Sequence, residues 1–168
     1  MASPRFSVRA LGKEDRDQFS CGDDALDRYF HRQVSQDVKR RITSCFIVMD
    51  EAQDRIAGFF TLSACHVDIS VLNDQQRKRL PMYPEVPSVR LGRLAIDTNY
   101  RGQKLGAALL AEAVSRAAHA PMGIHMMVVD AKDEQAAAFY RHHGFVSDAE
   151  MPLILYGQLA ELMRILTV

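Results

Sequence analysis

The chain has 168 residues, 48% hydrophobic and 25% charged, a composition that suits one globular domain spanning 1–168 with a core of its own. Its formal net charge is zero, which excludes a global electrostatic pull onto nucleic acid or membrane and leaves such binding to local patches. No apolar run reaches bilayer length, the start "MASPRFSVRALGKEDRD" lacks the apolar core of a signal peptide, and Cys21, Cys45 and Cys65 form no CxxC pair, so a cytoplasmic protein with reduced thiols is expected.

"RFSVRAL" alternates as a first strand and is ended by Gly12 and acidic residues. "CGDDALDRYFHRQVSQDVKR" reads as one helix. Gly22 and Asp23 mark its start, and Ala25, Leu26, Tyr29, Phe30 and Val34 form its apolar stripe. Early aspartates and the late Lys39 and Arg40 match the helix dipole. "TSCFIVM" and "RIAGFFTLSACHV" are β-branched and aromatic runs separated by "DEAQD", a hairpin signal. "VLNDQQRKRL" reads as a short polar helix, and "PMYPEVP", with three prolines, as a loop.

From there strands and helices alternate. "VRLGRLAID" is a strand, "GQKLGAALLAEAVSRAAH" a helix, and "GIHMMVVDA" a strand. "KDEQAAAFYRHHG" is a shorter helix closed by Gly144, and "PLILYG" a last strand. Ala107, Leu110, Val114 and Ala117 make the stripe of a helix lying on a sheet. The pattern gives an α/β (α+β) layered fold with no internal repeat.

The stretch "NYRGQKLGAALL" places Gly102 and Gly106 with Arg101 and Lys104 where a helix begins. The first amides of a helix lack internal partners and, with the dipole, favour an anion; glycine lets a phosphate approach the backbone. The spacing fits neither the P-loop nor the dinucleotide fingerprint. On spacing alone it reads equally as a glycine-eased helix start. In "DEQAAAFYRHHGF", Phe139 and Tyr140 point about 100° apart, so one can enter the core while the other faces a cleft.

Taken together, "RLAIDTNYRGQKLGAALL", a strand, and "DEQAAAFYRHHGF" resemble the acyl-CoA site of the GNAT N-acetyltransferases over roughly residues 88–146. "FSCGDDALDRYF", "GFFTLSACHV" and "PEVPSVRLGRLAID" are similar to one subgroup, the GNAT toxins of bacterial toxin–antitoxin modules. The resemblance implies a central mixed, mostly antiparallel sheet flanked by helices, and acetyl transfer from acetyl-CoA to the α-amine of aminoacyl-tRNA, blocking translation. It implies pantetheine beside Leu94, Ala95 and Ile96, and diphosphate on the amides of Arg101, Gly102, Gln103, Lys104, Leu105, Gly106 and Ala107. Asp133 would face the cofactor, and Tyr140 would be the general acid for the departing sulfur. Two residues depart from the pattern: Lys104 stands where glycine is usual, and Asp133 where many relatives carry asparagine. A ribbon-helix-helix antitoxin and a homodimer are the partners it implies.

No carboxylate in "RLGRLAID" stands out as a base. An α-amine needs none as strongly as a lysine: freeing a lysine amine at pH 7 costs about 4.6 kcal/mol, an α-amine about 1 kcal/mol. For a tRNA acceptor end the candidate contacts are Arg77, Lys78, Arg79, Arg90 and Arg93, with "VKRR" at 38–41 a further basic cluster. His142 and His143 suit a helix C-terminus, His119 and His125 lack partners at metal spacing, and no metal is expected. The tail "MPLILYGQLAELMRIL" is open between finishing the core and forming a dimer contact. Two other activities stay open: a GNAT enzyme acting on protein amines or small polyamines, and a non-catalytic acyl-CoA-binding module.

Overall fold

In the computed structural model, which describes residues 4–78, 80 and 82–168, seven strands form. They are β1 (Phe6–Ala10), β2 (Ser44–Asp50), β3 (Arg55–Asp68), β4 (Glu85–Ile96), β5 (Met126–Asp130), β6 (Val146–Ser147) and β7 (Ile154–Gln158). Their hydrogen-bonded order is β1-β2-β3-β4-β5-β7-β6. β1 with β2, β2 with β3, β5 with β7 and β6 with β7 are antiparallel, and β4 with β5 is parallel. The chain divides into two compact units, one running up to Ser63 and including Arg93–Glu112, the other made of Ala64–Gly92 and Ala113–Val168.

In the first unit, Asp23 caps helix α1 (Asp24–Arg28) by accepting from the amides of Ala25 and Leu26 at 3.0 and 3.1 Å. The helix expected over 21–40 is interrupted by a π-turn at Tyr29–Gln33 before α2 (Val34–Lys39) resumes. Tyr29 and Phe30, adjacent in sequence, are both buried, and Ala25, expected in the apolar stripe, is exposed. β2 alternates with period two: Cys45, Ile47 and Met49 enter a core with Phe19, Tyr29, Phe30, Val34, Ile56, Phe59 and Ala95. Phe30 stacks on Phe59 at 4.1 Å, and Phe19 meets both rings edge-on.

In the second unit, α3 (Asp74–Arg77) is a single turn closed by a capping box between Asn73 and Gln76. β4 begins at Glu85, so Glu85–Pro87, expected as loop, are strand. Proline is tolerated near a strand's start, and the carbonyl of Pro87 accepts from the His125 amide at 2.8 Å. Helix α4 (Leu105–Ala118) contributes residues to both units. Its buried positions are Leu105, Leu109, Leu110, Ala113, Val114 and Ala117, a wider stripe than expected, with Ala107 only half-buried. Helix α5 (Glu134–His142) follows β5, and α6 (Leu159–Leu166) ends the chain, burying Leu159 and Leu162 to finish this unit's core. β6, two residues long, is too short to leave a periodic signal.

Candidate active site

The first unit builds a strand end and the turn that follows it. Ala95 is buried at the end of β4, with Leu94 and Ile96 half-buried beside it. The backbone there comes very close to β3: a Cβ placed on Gly58 would lie 2.9 Å from the Ala95 carbonyl and 3.0 Å from Ile96 Cδ1. Only glycine fits.

Beyond Ile96 the chain is fixed by two sealed carboxylates. Asp97, 0% exposed, accepts from the amides of Ser20 (3.1 Å) and Asn99 (2.9 Å) and pairs with Arg55 at 3.8 Å. Asp50, also 0% exposed, accepts from the Tyr100 hydroxyl at 2.7 Å and from Arg5 at 2.9 Å. The Arg5 guanidinium, with help from Tyr100, holds the Asp50 carboxyl down at about 2. These two anchors set the 3₁₀ turn Thr98–Tyr100.

The turn itself is Arg101–Lys104, outside the helix that the sequence suggested from Gly102. Gly102 has φ +79°, and nothing lies within 4 Å of where its Cβ would be, so its requirement is conformational and the space above it is open. Lys104 has φ +60°, the left-handed region, without being glycine. The first helix-internal bond runs from Ala108 N to Lys104 O at 3.4 Å, so the amides of Leu105, Gly106 and Ala107 have no acceptor one turn back. Exposed Gln103 and Lys104 border this rim. The geometry fits a diphosphate: open space, bared amides, a helix dipole and a nearby cation. Arg101 departs from the expectation that its amide faces the diphosphate: that amide donates to the Thr98 carbonyl at 3.5 Å. Its guanidinium donates to the Cys21 carbonyl at 2.8 Å.

Arg93 leaves the same strand end and sits over the ring of Tyr29, its Cζ 3.4 Å from the ring centroid. Tyr29 donates to Asp37 at 2.9 Å, and burial, then that bond, push its phenol up to about 12. Cys21 and Cys45 thiols are pushed up by burial to about 11 and about 12, which leaves them neutral and unreactive at pH 7.

The second unit holds Tyr140. Asp133 caps α5 by accepting from the Ala136 amide at 2.8 Å, a role that an asparagine oxygen would fill equally. Two turns on, Tyr140 is 8% exposed and meets Phe139 and Phe145 edge-on at 5.2 and 5.5 Å. Burial raises its phenol to about 12. The helix closes with Gly144 (φ +101°), whose amide donates to Arg141 O, and Phe145, whose amide donates to Tyr140 O, each at 3.1 Å. That is a Schellman motif, and the ring contact of Tyr140 with Phe145 is its apolar clasp. His143 bonds Phe139 O at 2.9 Å, as the helix-end reading requires.

The other basic candidates are engaged or exposed. Arg90 is paired with Asp130, Arg77 donates to Asp74 at 2.7 Å, and Lys78 is exposed. Arg79 lies outside the described residues. Sequence reasoning missed Gly58, Asp97 and the Cys21 carbonyl. The first two had signals: a glycine inside an aromatic strand, and Asp followed by Thr-Asn at a strand end.

A family model described as an acetyltransferase (GNAT) domain matches residues 42–147, more than half of the chain. A tRNA-acetylating toxin of Mycobacterium tuberculosis (strain ATCC 25618 / H37Rv) is 30% identical over 149 residues, 88% of this chain and 87% of the relative. AtaT complexed with acetyl-methionyl-tRNAfMet superposes with TM-score 0.84 at 28% identity, covering 97% of this chain and 99% of that one. A tyrosine-to-phenylalanine mutant of the toxin AtaT, bound to the C-terminus of the antitoxin AtaR and acetyl-CoA, gives 0.80 at 26% identity over 98% and 100%. The sheet, the glycine turn at a helix start and the family match agree: this chain belongs to the GNAT acetyltransferases.

Proposed function

We propose that this acetyltransferase moves the acetyl group of acetyl-CoA to the α-amine of aminoacyl-tRNA and so arrests translation. The observation that carries the reading is likeness along nearly the whole chain to a tRNA-acetylating toxin and to AtaT holding acetyl-methionyl-tRNAfMet. We read residues 1–168 as one domain, because β3, β4 and α4 each run through both units.

Acetyl-CoA supplies an activated thioester. In this reading Leu94, Ala95 and Ile96 offer strand-edge backbone groups to its pantetheine, and an amide there donates toward the thioester oxygen. The amides from Gly102 to Ala107 hold the diphosphate, with Lys104 adding charge, while that of Arg101 is taken by the Thr98 carbonyl. The Tyr140 phenol, protonated at neutral pH like any tyrosine, holds the proton that the departing sulfur takes; burial, which raises it to about 12, makes that transfer uphill, so alignment has to drive it. Asp133 supports that helix as a cap. An α-amine reaches its neutral form at a cost of about 1 kcal/mol at pH 7, so no carboxylate base is required, and the proton it gives up on attack passes to water.

Arg93, held on Tyr29 at the reactive end of β4, is our first choice for the acceptor end of tRNA, with Arg77, Lys78, Arg79 and Arg90 as further contacts. The complex of AtaT with AtaR supports an antitoxin partner, which we take to be a ribbon-helix-helix protein, and we take the toxin to be a homodimer. Among the described residues no helix is long and apolar enough to cross a membrane, and the substrate points to the cytoplasm.

The test is to incubate the protein with acetyl-CoA and a total aminoacyl-tRNA pool, then analyse the nuclease-released aminoacyl-adenosines by mass. A gain of one acetyl group on the aminoacyl moiety is expected. Acetylated lysine or polyamine with untouched tRNA would transfer the activity to those amines, and acetyl-CoA binding without any turnover would make the chain a binding module.

A further inference from the structure

The segment Ser20–Gly22 bonds to three points of the turn. The Ser20 amide donates to Asp97 Oδ2 (3.1 Å), and the Thr98 amide donates to the Ser20 carbonyl (2.9 Å). The Cys21 carbonyl accepts from Arg101 Nη2 (2.8 Å). The segment is itself held by α1, where Asp27 accepts from the Ser20 hydroxyl (3.0 Å) and the Cys21 amide (2.8 Å). Gly22 makes the third bond possible. It sits at φ +87°, and a Cβ there would lie 2.7 Å from Arg101 Nη2. The glycine of "SCGDD" therefore leaves room for the guanidinium of a residue far along the chain.

We propose that Arg101 is a positioning residue: its guanidinium, docked over Gly22 on the Cys21 carbonyl, sets the peptide that enters the coenzyme turn. Arg101 stands immediately before Gly102, and its backbone is extended at φ −62° and ψ 148°. A side chain anchored at that point fixes where the Gly102–Lys104 amides begin their path toward α4. Arg101 serves the coenzyme by placing the chain that follows it, and the full charge near the diphosphate is left to Lys104. The two sealed carboxylates hold residues 99 and 100 from within, and the guanidinium holds residue 101 from outside. The inference rests on the reading of Gly102–Ala107 as the acetyl-CoA seat.

The test is a double-mutant cycle on acetyl-CoA binding, read by titration calorimetry on the purified protein without tRNA. Gly22→Ala and Arg101→Met are each expected to raise Kd about tenfold, and the pair together no more than about tenfold, because both remove the same tether. In turnover, KM for acetyl-CoA rises with Kd, kcat falls less than about threefold, and KM for aminoacyl-tRNA stays unchanged. Multiplicative losses, about a hundredfold in the pair, would make Arg101 a phosphate ligand in its own right and overturn the proposal. Wild-type affinity in Gly22→Ala would overturn it too.

Gly22→Asn, which carries the same Cβ but tolerates positive φ, repeats the cycle if the alanine variant does not fold. If neither folds, the salt dependence of Arg101→Met decides. A tether keeps the wild-type slope of log Kd against log salt, whereas a lost phosphate contact makes it shallower and overturns the proposal. Wild-type protein that binds no acetyl-CoA overturns the reading of the seat. Wild-type protein that binds it alongside variants that bind equally well overturns the tether alone.

Discussion

The Phe145 amide donates to the Tyr140 carbonyl at 3.1 Å, while the two rings meet edge-on 5.5 Å apart. The same pair closes the helix and sets the direction of the phenol. A tyrosine that needs only its ring for this clasp has a hydroxyl free for another purpose. Tyr140→Phe removes one oxygen and leaves the motif intact. Its stability is expected within about 1 kcal/mol of the parent, since the net worth of one polar group is of that order. Acetyl-CoA affinity is retained, and transfer to aminoacyl-tRNA falls by about 10²–10⁴, the range for a lost general acid. Single-turnover rates with calorimetric Kd check both halves; full activity in the variant would remove Tyr140 from the chemistry.

Gly144 is constrained twice, by φ +101° and by a Cβ position 2.5 Å from Ile165 Cδ1. Gly144→Ala is expected to cost about 1–3 kcal/mol in urea unfolding. Ile165→Ala added to it should recover the steric part and leave the backbone part. If the double variant is no more stable than the sum of the singles, the contact with Ile165 is not what the glycine spares.

Residues 88–146 were legible because their signals are local. A glycine-bearing turn before an apolar helix, and a helix closed by Gly-Phe, are written in neighbouring residues. What stayed hidden joins distant ones: Asp50 with Tyr100, Gly58 with the Ala95 carbonyl, Gly22 with Arg101. Nothing in "SCGDD" names the guanidinium that needs its missing Cβ. The π-turn at Tyr29–Gln33 was invisible because Tyr29, Phe30 and Val34 keep helical spacing through it. Glu85–Pro87 read as loop because proline is a breaker signal, and its partner there, the His125 amide on the Pro87 carbonyl, lies far along the chain.

Asp50 gives the acid limb of stability. Its carboxyl titrates at about 2 against 3.8 ordinarily, held down first by the Arg5 bond. A depressed pKa contributes stability that is present above the unfolded value and lost as pH falls through the folded one. Thermal midpoints are therefore expected to drop between about pH 4 and pH 2. Asp50→Asn should be less stable at pH 7, with the gap to the parent narrowing across that window. A gap that stays constant down to pH 2 would mean the Arg5 and Tyr100 contacts do not depend on the charge. The alkaline limb has the opposite sign. Tyr29, Tyr140 and Tyr156, each raised to about 12 mainly by burial, contribute stability below about 10 that is lost as pH rises toward 12.

Lys104 occupies a left-handed position at φ +60° where the family pattern has glycine, so its backbone and its charge can be separated by substitution. Lys104→Ala keeps the Cβ and loses the ammonium; Lys104→Gly loses both. The backbone term predicts that the glycine variant is more stable than the alanine variant by about 1 kcal/mol, the cost of a Cβ in that region. The charge term predicts that both bind acetyl-CoA about three- to tenfold more weakly than the parent at low salt, and that the difference closes by 0.5 M salt, where the Debye length is only a few ångströms. If the glycine variant instead binds more tightly than the parent, the lysine side chain obstructs the diphosphate, and the cation must be supplied from elsewhere on the rim. Equal binding of all three would leave the amides of Leu105, Gly106 and Ala107, with the helix dipole behind them, to hold the anion alone.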